Sequence, residues 1–230
     1  ANVRFPEVQR GDLWSMIGSV RVGERRLIKL LDNYGTEKIT DFLLDLYDYT
    51  ESLMRDQIDQ IPDGTYYGES STCGTPKSDE PGAVTVRCKL TVKGSNMIID
   101  LSDSDPMVPA YINSPISNTY SSVFIAIMTS VGRTVNYRTE GCLKPVEIRT
   151  KSGTVTHAVL PATHGNCTNF VAKNIIEAVW DALAKVIPDK TPAGWGAINC
   201  WVISGIDPRR NEGYGTPDFT ANACGAGAIW

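Results

Sequence analysis

Two short polar segments carry the residue types that can do chemistry in this chain. The first, residues 100–119, is rich in aspartate, serine and asparagine and contains Tyr111 and Asn113. The second, residues 161–169, is a loop of small and polar residues around His164. Both lie where a predicted loop meets an apolar element, which is where proteins commonly present functional groups. These segments are therefore the candidate functional surfaces.

The first segment leads into a predicted helix, whose free backbone N–H groups point at any anion or polarised carbonyl oxygen nearby. Two interpretations of this helix start stay open: Ser117, Asn118 or Thr119 is an N-cap, or this region contacts a ligand. Pro115 separates Asn113 from the helix, so no capping role is evident for Asn113. We therefore expect Asn113→Ala to lower turnover with little change in melting temperature, and Asn118→Ala to lower stability.

His164 is a candidate general base or ligand, although a single loop histidine is more often neither. The chain has two histidines, His157 and His164, and no HExxH motif, so a zinc site within it is not expected. The sequence contains neither the phosphate-binding motif GxxxxGK[ST] nor a GxGxxG motif that opens a helix. It also lacks the GxSxG motif of serine hydrolases. We predict that the chain alone binds neither nucleotide nor stoichiometric metal.

The elements that position these loops begin with two helices. Apolar residues recur at spacings of three, four and seven over residues 12–34 and again over residues 36–58, as in amphipathic helices. Gly35 predicts the end of the first helix and Pro62 the end of the second. Residues 1–62 are thus predicted to form an N-terminal helical hairpin, with the charged residues between the apolar rows facing solvent.

Alternation of apolar and polar residues then indicates strands. Residues 84–92 and 97–101, joined by a turn, predict an antiparallel hairpin with one packed face and one basic, solvated face. Short strands are predicted at residues 146–148 and 154–159. Because residues 117–131 are strongly apolar, including Ile125, they predict a buried helix.

A second long helix is predicted over residues 170–187, closed by Pro188. Helices and antiparallel strands that come in blocks favour an α+β fold for residues 63–230, with a glycine-rich C-terminal part. The apolar, glycine-rich last residues and the absence of an initiator methionine lead us to expect a fragment of a larger multidomain subunit.

Bulk composition excludes several classes. The 230 residues carry a net charge of −4, and the pI is 5.3. This acidic balance does not predict a basic surface that binds nucleic acid. No apolar run approaches the roughly 20 residues of a membrane span, and no signal peptide is evident, so we predict a cytoplasmic chain that binds no membrane. The 6 cysteines form no CxxC pair, which favours reduced thiols.

Several short motifs follow one another along nearly the whole chain. They include Gly23-Glu24-Arg25-Arg26-Leu27, Ile61-Pro62-Asp63-Gly64-Thr65-Tyr66, Ile99-Asp100-Leu101-Ser102, Tyr111-Ile112-Asn113-Ser114-Pro115 and Gly141-Cys142-Leu143-Lys144-Pro145-Val146-Glu147-Ile148. The order of these motifs resembles that in the B-type subunits of the hydantoinase B / oxoprolinase / acetophenone carboxylase superfamily.

This resemblance implies a partner, the A-type subunit, which binds ATP and phosphorylates the carbonyl oxygen of a small substrate, after which the B-type subunit completes hydrolysis or carboxylation. It also implies that a divalent metal is held by the remainder of the B-type subunit, in a region that would precede Ala1. On this basis we assign His164 a catalytic role and Tyr111, Asn113, Asn118 and Lys144 substrate contacts.

Three functions stay open. The chain is part of a lactam or imide hydrolase of the hydantoinase/oxoprolinase type, part of a ketone carboxylase of the acetophenone carboxylase type, or a non-catalytic scaffold of such a complex. Departures from the family pattern fall on residues 102–104, on Lys144, where relatives often carry arginine, and on the loop around His164. They indicate a divergent subgroup. The isolated chain is expected to hydrolyse neither ATP nor a lactam.

Overall fold

The computed structural model describes residues 6–72, 83–193 and 199–220. The glycine-rich residues 194–198 and 221–230, on which part of the C-terminal prediction rests, lie outside the described residues. The chain divides into two compact units, Ala1–Asp48 and Tyr49–Trp230.

The structure has the two predicted helices, α1 (Pro6–Tyr34) and α2 (Thr36–Ile58). The bounds of α2 agree with the prediction, whereas α1 begins at Pro6 and not at residue 12. Gly35 ends α1 as predicted: its φ is 84°, a conformation that glycine adopts at little cost, and its N–H donates to the Leu31 carbonyl at 2.7 Å. No residue of α1 is buried, and the buried residues of α2 all lie beyond Asp48. The predicted helices are therefore present, but their apolar rows do not cover each other as in a packed hairpin.

A four-stranded sheet has the order β1-β2-β3-β4. Its strands are β1 (Gly64–Ser71), β2 (Thr85–Lys93), β3 (Asn96–Asp100) and β4 (Val146–Arg149). The β2–β3 hairpin is confirmed, and the first three strands are antiparallel, whereas β4 pairs parallel to β3. The sheet is thus mixed rather than purely antiparallel, and β1 is a strand that the sequence pattern did not predict.

The predicted two faces of β2 are confirmed. Val86, Cys88, Leu90 and Val92 are buried, whereas the alternating basic residues are exposed. This alternation sets the packed side of the sheet, where one helix packs on the strands and a second helix packs on the first.

These helices are α3 (Ile116–Thr129) and α4 (Val171–Ala184). Helix α4 packs on β1 and β2, and α3 packs on α4, where the buried indole of Trp180 donates to the Ala126 carbonyl at 3.1 Å. Burial of α3 is confirmed for most of its apolar residues, but Ile125 is 45% exposed, which corrects the prediction for that side chain.

Helix α4 approaches β1 closely at Gly68. A Cβ built on Gly68 would lie 2.2 Å from the Ala178 carbonyl oxygen and 2.4 Å from the Ala182 nitrogen. The helix also occupies backbone groups on the outer edge of β1: Asp181 accepts from the Glu69 N–H at 3.1 Å, and Lys185 donates to the Tyr67 carbonyl. Such contacts keep an edge strand from pairing with another chain.

Two further segments differ from prediction. Residues 154–159 form turns with isolated bridges rather than a strand, since the Thr154 hydroxyl and the His157 N–H bond to nearby carbonyls instead of a neighbouring strand. Conversely, β5 (Asn199–Asp207) and β6 (Glu212–Thr220) form an antiparallel hairpin within the part that was predicted only to be glycine-rich. The turn residue Asn211, with φ of 50°, was the available signal.

Candidate functional site

A cleft lies between the loop that follows β3 and the loop that precedes α4. It has a volume of 430 Å³. Its lining consists of Met107, Val108, Pro109, Pro161, Ala162 and Thr163. We call it the proline cleft. It joins the two polar segments predicted to be functional surfaces, so residues far apart in the sequence share one surface.

Asn113 holds both walls of the proline cleft together. Its side chain is fully buried. Its amide oxygen accepts from the Val108 N–H at 2.9 Å, and its Nδ2 donates to the carbonyls of Val108 and Ala110 at 2.8 and 2.7 Å and of Thr163 at 3.2 Å. The contact of Asn113 with substrate stays a prediction, but the structure gives its side chain a positioning role that the sequence did not reveal.

His164 is half-buried beside the Asn113 backbone carbonyl. Its Nδ1 lies 3.2 Å from the Asn113 carbonyl oxygen. A carbonyl can only accept, so this contact requires the proton on Nδ1 and leaves Nε2 of the neutral ring as the proton acceptor. The geometry therefore selects the tautomer that a general base needs at Nε2.

Tyr111 and Asn118 lie in the same region. The Tyr111 carbonyl accepts from the Asn166 N–H at 2.8 Å, which ties the two loops together a second time. The Asn118 side chain donates to the Ser114 hydroxyl at 2.8 Å. Pro115 occupies the N-cap position of α3 without a side-chain cap, so the prediction that Ser117, Asn118 or Thr119 caps this helix is wrong.

The Thr119 hydroxyl makes hydrogen bonds other than a helix cap. It lies 2.9 Å from the Ser114 hydroxyl and donates to the Thr156 carbonyl at 2.6 Å. This buried chain of hydroxyl groups anchors the start of α3 to the segment around His157, and it fixes the loop that carries Asn113.

Lys144 belongs to another part of the surface. Its ammonium group lies 3.0 Å from the Glu51 carboxylate, in a shallow depression beside β4 and the β2–β3 turn. Hydrogen bonds from Arg55 and Lys144 lower the pKa of Glu51. The structure thus groups four of the five predicted site residues and places Lys144 among different neighbours, where its predicted substrate contact stays a prediction.

The aspartate-rich start of the first segment has structural tasks. Asp105 accepts from the Thr85 N–H at 2.8 Å and pairs with Arg87 at 2.7 Å, a contact that raises the pKa of Arg87. Arg87 also lines a cavity of 360 Å³. Side chains of both charge signs line this cavity, and Lys89 and Lys185 are among the positive ones. These contacts stabilise the junction of β2 with the loop rather than forming a catalytic pair.

The described cysteines supply no activated nucleophile. Cys88, Cys142 and Cys167 are free thiols. Burial raises the pKa of Cys88 to about 12 and also raises the pKa of Cys167, so both stay protonated near neutral pH. Within the described residues, no group of three or more His, Cys, Asp or Glu side chains is placed to hold a metal ion.

A mixed α/β scaffold that carries a histidine beside a small apolar cleft is an arrangement typical of a small-molecule site. The family model for hydantoinase B/oxoprolinase matches residues 1–230. The chain therefore belongs to the hydantoinase B/oxoprolinase family. Across the ranges that the structure describes, no helix is long and apolar enough to cross a membrane.

Two relatives from Pseudomonas are similar over most of the chain. The beta subunit of caprolactamase from Pseudomonas jessenii is 34% identical over 233 residues, which cover 99% of this chain and 39% of the relative. The B subunit of a putative D-/L-hydantoinase from Pseudomonas sp. (strain NS671) is 30% identical over 224 residues, 93% of this chain and 37% of the relative. The chain thus spans less than two fifths of the length of these relatives.

Solved structures agree with the fold. The crystal structure of ATP-dependent caprolactamase from Pseudomonas jessenii matches with a TM-score of 0.76 at 30% identity, over 90% of this chain and 35% of that one. The nucleotide-free structure of acetone carboxylase matches with a TM-score of 0.74 at 16% identity, over 88% of this chain and 29% of that one. The second likeness shows the fold alone.

Proposed function

We propose that this chain is part of the B-type subunit of a cytoplasmic, ATP-dependent enzyme that opens a lactam or imide ring. A partner A-type subunit uses ATP to phosphorylate the carbonyl oxygen of the substrate, and the B-type subunit then completes hydrolysis. Membership of the family, together with relatives named as subunits of a caprolactamase and a hydantoinase, supports this proposal.

The observation that carries a catalytic role for this chain is the Nδ1 contact of His164 with the Asn113 carbonyl. It leaves Nε2 as the acceptor for a proton from water that attacks the carbon of the phosphorylated carbonyl group. Phosphorylation makes the carbonyl carbon more electrophilic. After water adds, the ring C–N bond breaks as the nitrogen takes up the proton held at Nε2, and a second water hydrolyses the resulting acyl phosphate to carboxylate and phosphate. A base that activates water is therefore required. His164 directly follows Pro161, Ala162 and Thr163 of the cleft wall in the chain, which supports this assignment.

Cofactors are assigned by the same proposal. ATP binds the partner subunit, and a divalent metal is held by the remainder of the B-type subunit rather than by the described residues. Such a metal polarises the carbonyl or phosphoryl oxygen when bound. Asn113 positions both walls of the cleft, Tyr111 lies in the loop that carries it, and Asn118 lies at the start of α3. Lys144 reaches the substrate only if another surface of the subunit contributes to the site.

Replacement of His164 tests this role. In the full B-type subunit with its ATPase partner, His164→Gln should lower kcat by roughly 100-fold with little change in melting temperature, because it removes a general base but only one peripheral contact. His157→Gln is the matched control and should keep a normal rate, since the His157 ring bonds to Thr150 at 2.9 Å. A normal rate for His164→Gln would exclude His164 as the general base.

The same assay separates hydrolysis from carboxylation. Product formation by a hydrolase is independent of bicarbonate, whereas a ketone carboxylase incorporates it. Release of a ring-opened amino acid without bicarbonate is the expected result. Strict dependence on bicarbonate would show that the reaction is carboxylation and not ring opening.

A second candidate function, docking of the ATPase partner, is favoured by the exposed apolar row of α1. Leu13, Ile17 and Val20 are 59%, 50% and 71% exposed and follow the three-four spacing of a helix seam. Apolar side chains of this size each contribute about 1.5–3 kcal/mol when they leave water, so an uncovered row of this length is typical of an interaction surface.

Substitution of Leu13, Ile17 and Val20 by serine tests docking. The triple variant should lose co-purification with the A-type subunit while the melting temperature of the chain stays unchanged, because these side chains are not buried within it. Serine at Arg21 and Arg25, on the same helix, is the control and should retain the partner. Undiminished co-purification of the triple variant would remove α1 from the docking surface.

A further inference from the structure

We infer that the cavity of 360 Å³ on the outer side of β1 and β2 binds a small zwitterionic amino acid, whose ammonium group and carboxylate are joined by a short aliphatic chain. We call it the charged cavity. Strands β1, β2 and β3 and the end of α4 contribute to its lining, and it shares no lining residue with the proline cleft. The inference therefore goes beyond the proposed function and concerns a second site.

Charges of opposite sign lie side by side across the charged cavity. Arg87 and Lys89 form a cationic row on β2. The strand register places Glu69 of β1 opposite Arg87, and it places Asp100 of β3 opposite Lys89. Asp103, in the loop after β3, adds a further carboxylate to the lining. Because neighbouring strands lie about 4.8 Å apart, the cavity presents cations and carboxylates about one strand spacing from each other.

Several of these charges are available to a ligand. Arg87 is paired with Asp105 at 2.7 Å. In contrast, the side chains of Lys89, Glu69 and Asp103 are exposed and form no hydrogen bond or ion pair within the part of the chain that the structure describes. Lys89 can therefore receive a carboxylate, and Glu69 or Asp103 can receive an ammonium group.

This mixture of charges selects against ligands that carry one charge. A simple anion at Lys89 would lie near the carboxylates that flank the cationic row, and a simple cation at Glu69 would lie near Arg87. Like charges at such distances repel, which weakens binding. A zwitterion meets an opposite charge at both of its ends, so the arrangement favours an amino acid.

Size and apolar surface limit the chain between the two charges. The volume of 360 Å³ lies near the lower end of small-molecule sites, which fits a chain of a few carbon atoms. The ring of Tyr67, which is 61% exposed and opposite Lys89 in the register, offers apolar surface to such a chain. The proposed reaction forms this class of compound, because addition of water across a lactam C–N bond leaves an amine and a carboxylate on one chain.

Equilibrium binding to the full B-type subunit with its partner, without ATP, tests the inference. Isothermal titration calorimetry should give a dissociation constant for 4-aminobutyrate that is at least about 10-fold lower than for butyrate or butylamine, which each lack one of the two charges. Equally tight binding of either control compound would overturn the zwitterion as the ligand. Absence of 4-aminobutyrate binding would overturn the site, whereas the rate of lactam hydrolysis, measured separately, decides the proposed function.

Two lysines on β2 connect binding to the charged cavity. Lys89→Gln should weaken binding of 4-aminobutyrate at least about 10-fold, because it removes an unpaired cation from the lining. Lys93→Gln is the matched control and should bind normally, since Lys93 is exposed on the same strand but does not line the cavity. Equal dissociation constants for Lys89→Gln and the unchanged protein would show that the amino acid binds elsewhere, for example at the proline cleft, and would overturn the inference.

Discussion

Gly68→Ala should destabilise the second unit by about 3 kcal/mol or more. The added Cβ would meet the Ala178 carbonyl oxygen at 2.2 Å and the Ala182 nitrogen at 2.4 Å, and both are backbone atoms of α4. A side chain could rotate away, but a helix backbone must move as a whole, and cores packed to crystal-like density resist such movement. The cost therefore lies at the upper end of overpacking substitutions.

Displacement of α4 has a second consequence. Asp181 and Lys185 occupy outward-facing backbone groups of β1, so a shifted helix releases part of this edge for pairing with another chain. Gly68→Ala should therefore unfold at a lower denaturant concentration, measured by circular dichroism, and should self-associate, measured by light scattering.

Gly213→Ala is the matched control. Gly213 lies in β6, and a Cβ there meets nothing within 4 Å. Its substitution should change the free energy of unfolding by less than about 0.5 kcal/mol. Equal unfolding midpoints for the Gly68 and Gly213 variants would show that α4 does not rest on β1 as described.

The elements that could be predicted from the sequence are those in which the hydrophobic pattern agrees with the residues that mark the ends of the element. The β2–β3 hairpin was predictable because buried residues such as Val86 and Leu90 alternate with polar ones, and because Gly94, with φ of 53°, supplies the turn. Strand β1 was missed because its residues are mostly exposed or half-buried, with Gly68 buried at the contact with α4. Its strand character depends on partners far away in the sequence.

Periodicity also has a limit that α1 illustrates. The spacing of Leu13, Ile17 and Val20 predicted a helix and its apolar face correctly, but it carries no information on what covers that face. The same limit applies to the candidate site. Polar loops flanking apolar elements pointed to Asn113 and His164, whereas the separation of Lys144 from them depends on tertiary contacts with Glu51 that no local pattern encodes.

Asn113→Ala is the second substitution with a large expected effect, and here the structure changes the expectation. From sequence, this variant should lose turnover but keep its melting temperature. The structure shows an amide group without exposure that makes four hydrogen bonds to backbone groups of three residues. Alanine would leave these backbone groups without the amide as partner, at about 1–3 kcal/mol for each group that water cannot reach. The Ala110 carbonyl is at a buried residue, whereas Val108 is half-buried and Thr163 is exposed.

We therefore expect Asn113→Ala to lower the free energy of unfolding by about 2–4 kcal/mol, the loss at one or two groups that water cannot reach. Turnover of the full complex should fall as well, even at temperatures where the variant is folded. Both walls of the proline cleft lose their common anchor at Val108 and Thr163, and the loop whose Asn113 carbonyl sets the His164 tautomer is released.

Asn118→Ala provides the comparison, because the same truncation there removes a half-buried amide with one hydrogen bond, to Ser114 at 2.8 Å. Its stability loss should stay near 1 kcal/mol, about the value of one such bond, and its turnover should stay close to normal. Thermal unfolding and turnover, measured on both variants in the full subunit with the proposed ATPase partner, distinguish these roles. If Asn113→Ala loses turnover at an unchanged melting temperature, its amide acts on the substrate directly, and the positioning role is wrong. If neither quantity changes, the proline cleft is not the catalytic wall, and docking through α1 becomes the better account of what this chain contributes.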